Sequence, residues 1–173
     1  NCGTLRACYQ HPENPGLLIK VPVGQKKERD QANLKEMKGY HTLMREHIDL
    51  FCISHCYGFV STNHGKGLVC DCIRDDAGSV SKTIWEVIVT EDDCDVDNIM
   101  AVAREFCHML ISKKIYIFDI NLKNIVVKIR FDGTYQPIII DLKGRYADNE
   151  LFPLSSYIEY FSRKKMARRC REF

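Results

Sequence analysis

Apolar and polar positions change their spacing several times along the chain, and each change predicts an element. Residues 4–9 form a short mixed strand. A turn dense in Pro, Asn and Gly follows at 11–16, and the apolar run 17–23 returns as a second strand, so the two predict a hairpin. Over 26–48, Ala32, Leu34, Met37, Tyr40, Leu43 and Met44 recur at spacings of three and four, which predicts a long amphipathic helix. Gly39 lies inside it, at a cost of ~1 kcal/mol relative to Ala. Residues 51–62 and 67–73 read as another strand pair joined by Asn63-His64-Gly65-Lys66-Gly67.

Asp75-Asp76-Ala77-Gly78-Ser79 then breaks the pattern and marks a linker. Ser81 is placed to cap a helix running through Val89. A clearer helix spans 95–111, where Val96, Ile99, Met100, Ala103, Phe106, Cys107 and Leu110 share one side. Strands at 125–130 and 136–140 flank an Asp-Gly turn, and a last helix fills 151–173 with Pro153 near its start. Strands with one helix, a linker, then helices with one small hairpin predict an α+β fold. Its antiparallel N-lobe sheet occupies 1–74, a hinge 75–79, and a reduced helical C-lobe 80–173, all in one domain.

Composition narrows the function classes. The 173 residues are 45% hydrophobic and 28% charged, the balance of a globular domain with a buried core. A net charge of +2 makes nucleic acid an unlikely partner. The basic run Arg163-Lys164-Lys165 with Arg168-Arg169 reads first as the solvated face of a terminal helix. The nine cysteines are odd in number and contain no Cys-x-x-Cys, so neither a disulfide framework nor a zinc ribbon is indicated. They read as small buried apolar residues in a reducing cytoplasm. No apolar stretch approaches the ~20 residues of a membrane span, and no signal peptide is visible. The sequence begins with Asn1 rather than Met.

Chemistry concentrates in two segments. Asp119 is followed five residues later by Asn124, which opens the apolar strand Ile125-Val126-Val127. Then Ile138-Ile139-Ile140 ends in Asp141, with Gly144 soon after. Protein-kinase-like folds use this order to hold magnesium and ATP. Mg2+ prefers oxygen ligands and keeps several waters, so Asn124 and Asp141 at neighbouring strand ends, with nucleotide phosphates, suffice. Read alone, each simply terminates a strand. Asp119 is placed to accept a hydroxyl proton or orient the nucleophile, or else to brace its own loop. Lys123 is placed to reach a transferring phosphate, or to sit in solvent. Lys20 interrupts the apolar strand Ile19-Lys20-Val21, where it either snorkels outward or meets phosphate and the carboxylate of Glu36 on the following helix.

At this point the chain resembles a known family. Gly3 with Arg6-Ala7-Cys8-Tyr9-Gln10-His11-Pro12, Ile19-Lys20-Val21, 57–63 and 73–83 resemble the YrbL family of PhoP-regulatory-network proteins nearly end to end. The resemblance implies similarity to protein and small-molecule kinases. It makes Lys20 the phosphate-contacting strand lysine, Glu36 its partner, Asp119 the catalytic-loop Asp, and Asn124 and Asp141 the metal-binding pair. Gly3 would be a remnant of the glycine-rich loop. The chain departs from kinases where Ile117-Phe118 replace His-Arg, where Gly144 stands one residue late, and where no Ala-Pro-Glu follows.

The expectation is an ATP- and Mg2+-dependent phosphotransferase acting on an unknown hydroxyl of a protein or small molecule. The alternative is a pseudokinase that binds nucleotide or protein without transfer. A weaker third reading is an RNA or membrane-surface binder using the terminal basic helix.

Overall fold

The computed structural model describes residues 6–23, 27–46, 51–91, 95–117, 119–142 and 159–171, with 27–30 and 159–162 described by backbone alone. β1 (Arg6–Gln10), β2 (Leu17–Pro22), β3 (Cys56–Thr62) and β4 (Gly65–Asp71) form an antiparallel sheet in the order β1-β2-β4-β3. The hairpin loop at 11–16 is closed by His11 N–H donating to the Leu17 carbonyl at 3.0 Å and Leu17 N–H to that of Asn14 at 3.1 Å. β3 and β4 turn on Asn63 and His64, where Gly65 takes φ +102°, a left-handed conformation that strains other residues. At Gly67 a Cβ would collide with the Ile19 side chain, so glycine lets β4 lie against β2.

Helix α1 (Lys27–Glu46) runs unbroken through Gly39 and packs on this sheet. Its buried stripe is Asn33, Glu36, Met37, Tyr40 and Leu43, while Leu34 and Met44 face outward. Of the expected apolar face, Met37, Tyr40 and Leu43 are buried, and the polar Asn33 and Glu36, which the apolar pattern did not include, complete the stripe. Asn33 explains its own burial. Its Nδ2 donates to the carbonyls of Lys20 at 2.8 Å and Lys66 at 3.1 Å, which pins the helix across β2 and β4.

The linker is tied down. Asp75 Oδ1 accepts from Ser81 Oγ at 2.7 Å and from Ile129 N–H at 2.9 Å, and Asp76 pairs with Lys128 at 3.0 Å. Ser81 therefore does not cap the next helix. α2 (Ile84–Thr90) starts at Thr83, which forms a reciprocal capping box with Glu86. α3 (Val96–Ser112) is capped by Asp95 and buries Ile99, Ala103, Phe106, Cys107 and Leu110 of the predicted side, while Val96 is exposed and Met100 half-buried. β5 (Ile125–Ile129) and β6 (Tyr135–Ile139) form the small hairpin, and α4 (Glu159–Cys170) packs on α3 with Met166 fully buried.

The segment before β3 belongs to both halves. Residue 53 bridges β6, with Ser54 N–H on the Ile139 carbonyl and Ile139 N–H on the Cys52 carbonyl, each at 2.8 Å. One hydrophobic cluster then runs from Leu68 and Met37 through Ile53 to Ile139, Ile99 and Met166. No helix among the described residues is long and apolar enough to cross a membrane.

Candidate functional site

Strand pairing sets the first part of the site. In β1 and β2, Cys8 lies opposite Lys20, and Arg6 lies two residues along β1 from Cys8, so Arg6 and Lys20 project from one face of the sheet. Glu36 meets them from α1. Lys20 Nζ lies 2.5 Å from Glu36 Oε1, and Arg6 Nη1 bonds both Glu36 Oε2 and, at 3.1 Å, Asn33 Oδ1. Arg6 Nη2 reaches Asp141 Oδ1 at 2.5 Å. The result is an alternating row Lys20, Glu36, Arg6, Asp141, whose formal charges cancel.

These groups are largely out of water. The side chains of Glu36 and Lys20 are 3% and 6% exposed, that of Arg6 is 10% exposed, and Asp141, at the open end, is 27% exposed. Burial is the largest single influence on Lys20 and opposes its charge, but Glu36, Cys70 and Asp141 together outweigh it and hold the ammonium above its ordinary pKa. Arg6 follows the same balance: burial lowers its pKa, Glu36 and Asp141 raise it, and the guanidinium ends above its ordinary value. Both cations therefore stay protonated in the folded chain.

Asp141 stands just past β6 with φ +61°. Asp tolerates the left-handed region better than most residues, and backbone held there concentrates at functional sites. Its position is fixed by Ile140 N–H, which donates to the Asn124 carbonyl at 2.9 Å. This bond sets the start of β5 beside the end of β6.

Asn124 in turn holds the preceding loop. Its Nδ2 donates to the Asp119 carbonyl at 3.0 Å and to Asp119 Oδ2 at 3.2 Å. Asn121 braces the same loop, donating to the Asp119 carbonyl at 3.1 Å and accepting from Lys123 N–H at 3.0 Å. With Nδ2 committed to Asp119, the Asn124 amide oxygen is the atom left for a cation.

Asn124 and Asp141 offer oxygen donors at the adjoining start of β5 and end of β6, chemistry that fits Mg2+. Lys20 and Arg6 next to them fit phosphate oxygens.

Lys123 lies apart from this row. Its ammonium sits 5.0 Å over the Trp85 ring, a cation–π contact with α2. Gly3 lies outside the described residues. The sequence reading missed Arg6 and Asn33 as site residues. Their signal was available in strand alternation, which puts Arg6 on the face of Lys20, and in an Asn within an amphipathic helix.

A second group of donors lies behind Glu36. Cys56 and Cys70 face each other across β3 and β4 with sulfurs 3.5 Å apart, and a Glu36 oxygen lies within 4.8 Å of both. The hydrogen bond to Cys56, with burial, drives the Cys70 thiol well above its ordinary pKa. Glu36 already serves two cations, so this trio is packing beneath the site rather than a metal centre.

Comparison with known sequences agrees along the whole length. Residues 1–173 match the family described as PhoP regulatory network protein YrbL. The YrbL proteins of Escherichia coli (strain K12) and Shigella flexneri are each 26% identical over 175 residues, covering 99% of this chain and 80% of the relative. The chain belongs to the YrbL family of PhoP regulatory network proteins.

Proposed function

We propose that this protein is a kinase-like, ATP-binding phosphotransferase that uses Mg2+ and acts on a hydroxyl of a protein or small molecule. The fold is read as a small two-lobed kinase-like arrangement, with α1 and the four-stranded sheet on one side and α2–α4 with the β5–β6 hairpin on the other. The observation that carries the reading is the buried row from Lys20 through Glu36 and Arg6 to Asp141, with Asn124 and Asp119 adjoining its open end.

Lys20, oriented by Glu36, binds phosphate oxygens. Asn124 and Asp141 hold Mg2+, which when bound neutralises charge on the phosphates. Asp119 orients the acceptor hydroxyl and takes its proton. The acceptor oxygen forms a bond to the γ-phosphorus, and the bond from that phosphorus to the bridging oxygen breaks, releasing ADP. Such a positioned base contributes about 10²–10⁴-fold. The family is described by the PhoP regulatory network, and the acceptor is sought there.

A second reading, a pseudokinase that binds nucleotide without transfer, is favoured by Lys123, whose amine is engaged with Trp85. ADP formation from ATP and Mg2+ separates the two. Slow turnover that drops by about 10²-fold in Asp119→Asn supports transfer. Nucleotide binding with no turnover in the wild-type chain supports the second reading.

A further inference from the structure

We propose that Arg6 is a latch on the metal position, a positioning residue that lets a divalent cation reach Asp141 only together with nucleotide phosphates. This inference rests on the nucleotide-site reading above and adds an order of binding to it. Arg6 spans the two acids. One guanidinium nitrogen is shared by Glu36 and Asn33 and the other is bonded to Asp141 at 2.5 Å, the carboxylate that the metal would use. A guanidinium cannot lose its proton in this setting, and its planar fork suits two carboxylates at once.

A cation approaching alone meets a carboxylate already neutralised by a fixed positive charge, so it must break that ion pair with nothing given to Arg6 in return. Nucleotide phosphates change the balance. They bring oxygens of the type that Arg binds best, Arg6 exchanges Asp141 for one of them, and the released carboxylate takes the metal. Charge is conserved at each partner, because every broken contact is replaced. Glu36 and Asn33 keep the other nitrogen, so the side chain needs only a local swing.

The test is Mn2+ binding to the full chain, read by electron paramagnetic resonance of the free ion, with and without ATP. The wild-type chain binds Mn2+ together with ATP, dependent on Asp141, and binds Mn2+ alone poorly. Arg6→Gln binds Mn2+ alone at least about tenfold more tightly than wild type. That gain disappears in Arg6→Gln combined with Asp141→Asn. Glu36 retains Lys20 in these variants, so the buried carboxylate keeps a cation, and in Arg6→Gln the charge left over sits on Asp141 at the more exposed end of the row. Arg6→Lys, which reaches one carboxylate at a time, gives a smaller gain and carries the test if Arg6→Gln melts before the titration. Equal affinity for Mn2+ alone in wild type and every folded Arg6 variant, with Asp141-dependent binding in the presence of ATP intact, overturns the latch and leaves the nucleotide site standing. No Asp141-dependent Mn2+ binding under either condition overturns both.

Discussion

Two charged networks hold this chain together, and they are built on opposite terms. The row Lys20, Glu36, Arg6 and Asp141 is largely withdrawn from water, joins β1, β2, α1 and the segment after β6, and pairs each charge with a neighbour of opposite sign. The linker network around Asp75 and Asp76 lies near the surface, and its reach comes from backbone donors on Ile129 and Phe131 as much as from Lys128 and Arg130. A buried row costs desolvation that packed apolar side chains would avoid, so its presence in a core points to use rather than to stability. A surface network costs little and contributes little per ion pair, which suits a joint that only keeps a linker in register.

Breaking the two networks should therefore give unequal results. The largest effect is expected from Glu36→Ala, which leaves Lys20 and Arg6 buried without their shared acceptor. Urea unfolding should show a loss of about 3–5 kcal/mol. Asn33→Ala removes the bonds from α1 to the carbonyls of Lys20 and Lys66 and one support of Arg6, at about 1–3 kcal/mol. Asp75→Ala frees Ser81 and the Ile129 N–H near solvent, and the same measurement should register about 1 kcal/mol. If Asp75→Ala proves as damaging as Glu36→Ala, the contrast between the networks is wrong.

The networks should also fail at opposite ends of the pH scale. Lys20 is held above its ordinary value of 10.5 against burial by Glu36, so its contribution is complete below that pH and is lost as pH rises through the higher folded value. Asp76 is held below its ordinary 3.8, chiefly by its hydrogen bond with Lys128. Its contribution is present above that pH and is lost as pH falls through the lower folded value. In urea midpoints followed against pH, Lys20→Met should flatten the alkaline decline and Asp76→Asn the acid one. Exchange of those two effects between the variants would contradict the assignment.

Local patterns in the sequence were readable where partners are close in the chain. The hairpins, α3 and the Asp119–Asn124 spacing are set by neighbours within a few residues. Thr83-Ile84-Trp85-Glu86 was equally legible as a capping box, yet the pattern reading favoured Ser81, whose hydroxyl goes to Asp75. Only part of the buried face of α1, Met37, Tyr40 and Leu43, was legible from hydrophobicity. Asn33 and Glu36 are buried because β1, β2 and β4 supply partners, and an apolar count cannot register such distant compensation. Arg6 shows the limit most plainly. Its partners Asn33, Glu36 and Asp141 lie 27, 30 and 135 residues away, so only the folded chain brings them together.

The central claim is that Lys20 and Asp141 serve one nucleotide with its metal. Calorimetric titration of the full chain with ATP, with and without Mg2+, tests it most directly. Saturable binding that strengthens with Mg2+, loses that strengthening in Asp141→Asn, and weakens in Lys20→Met with or without the metal is the predicted result. Absence of ATP binding in the wild-type chain, or binding indifferent to both substitutions, would contradict it.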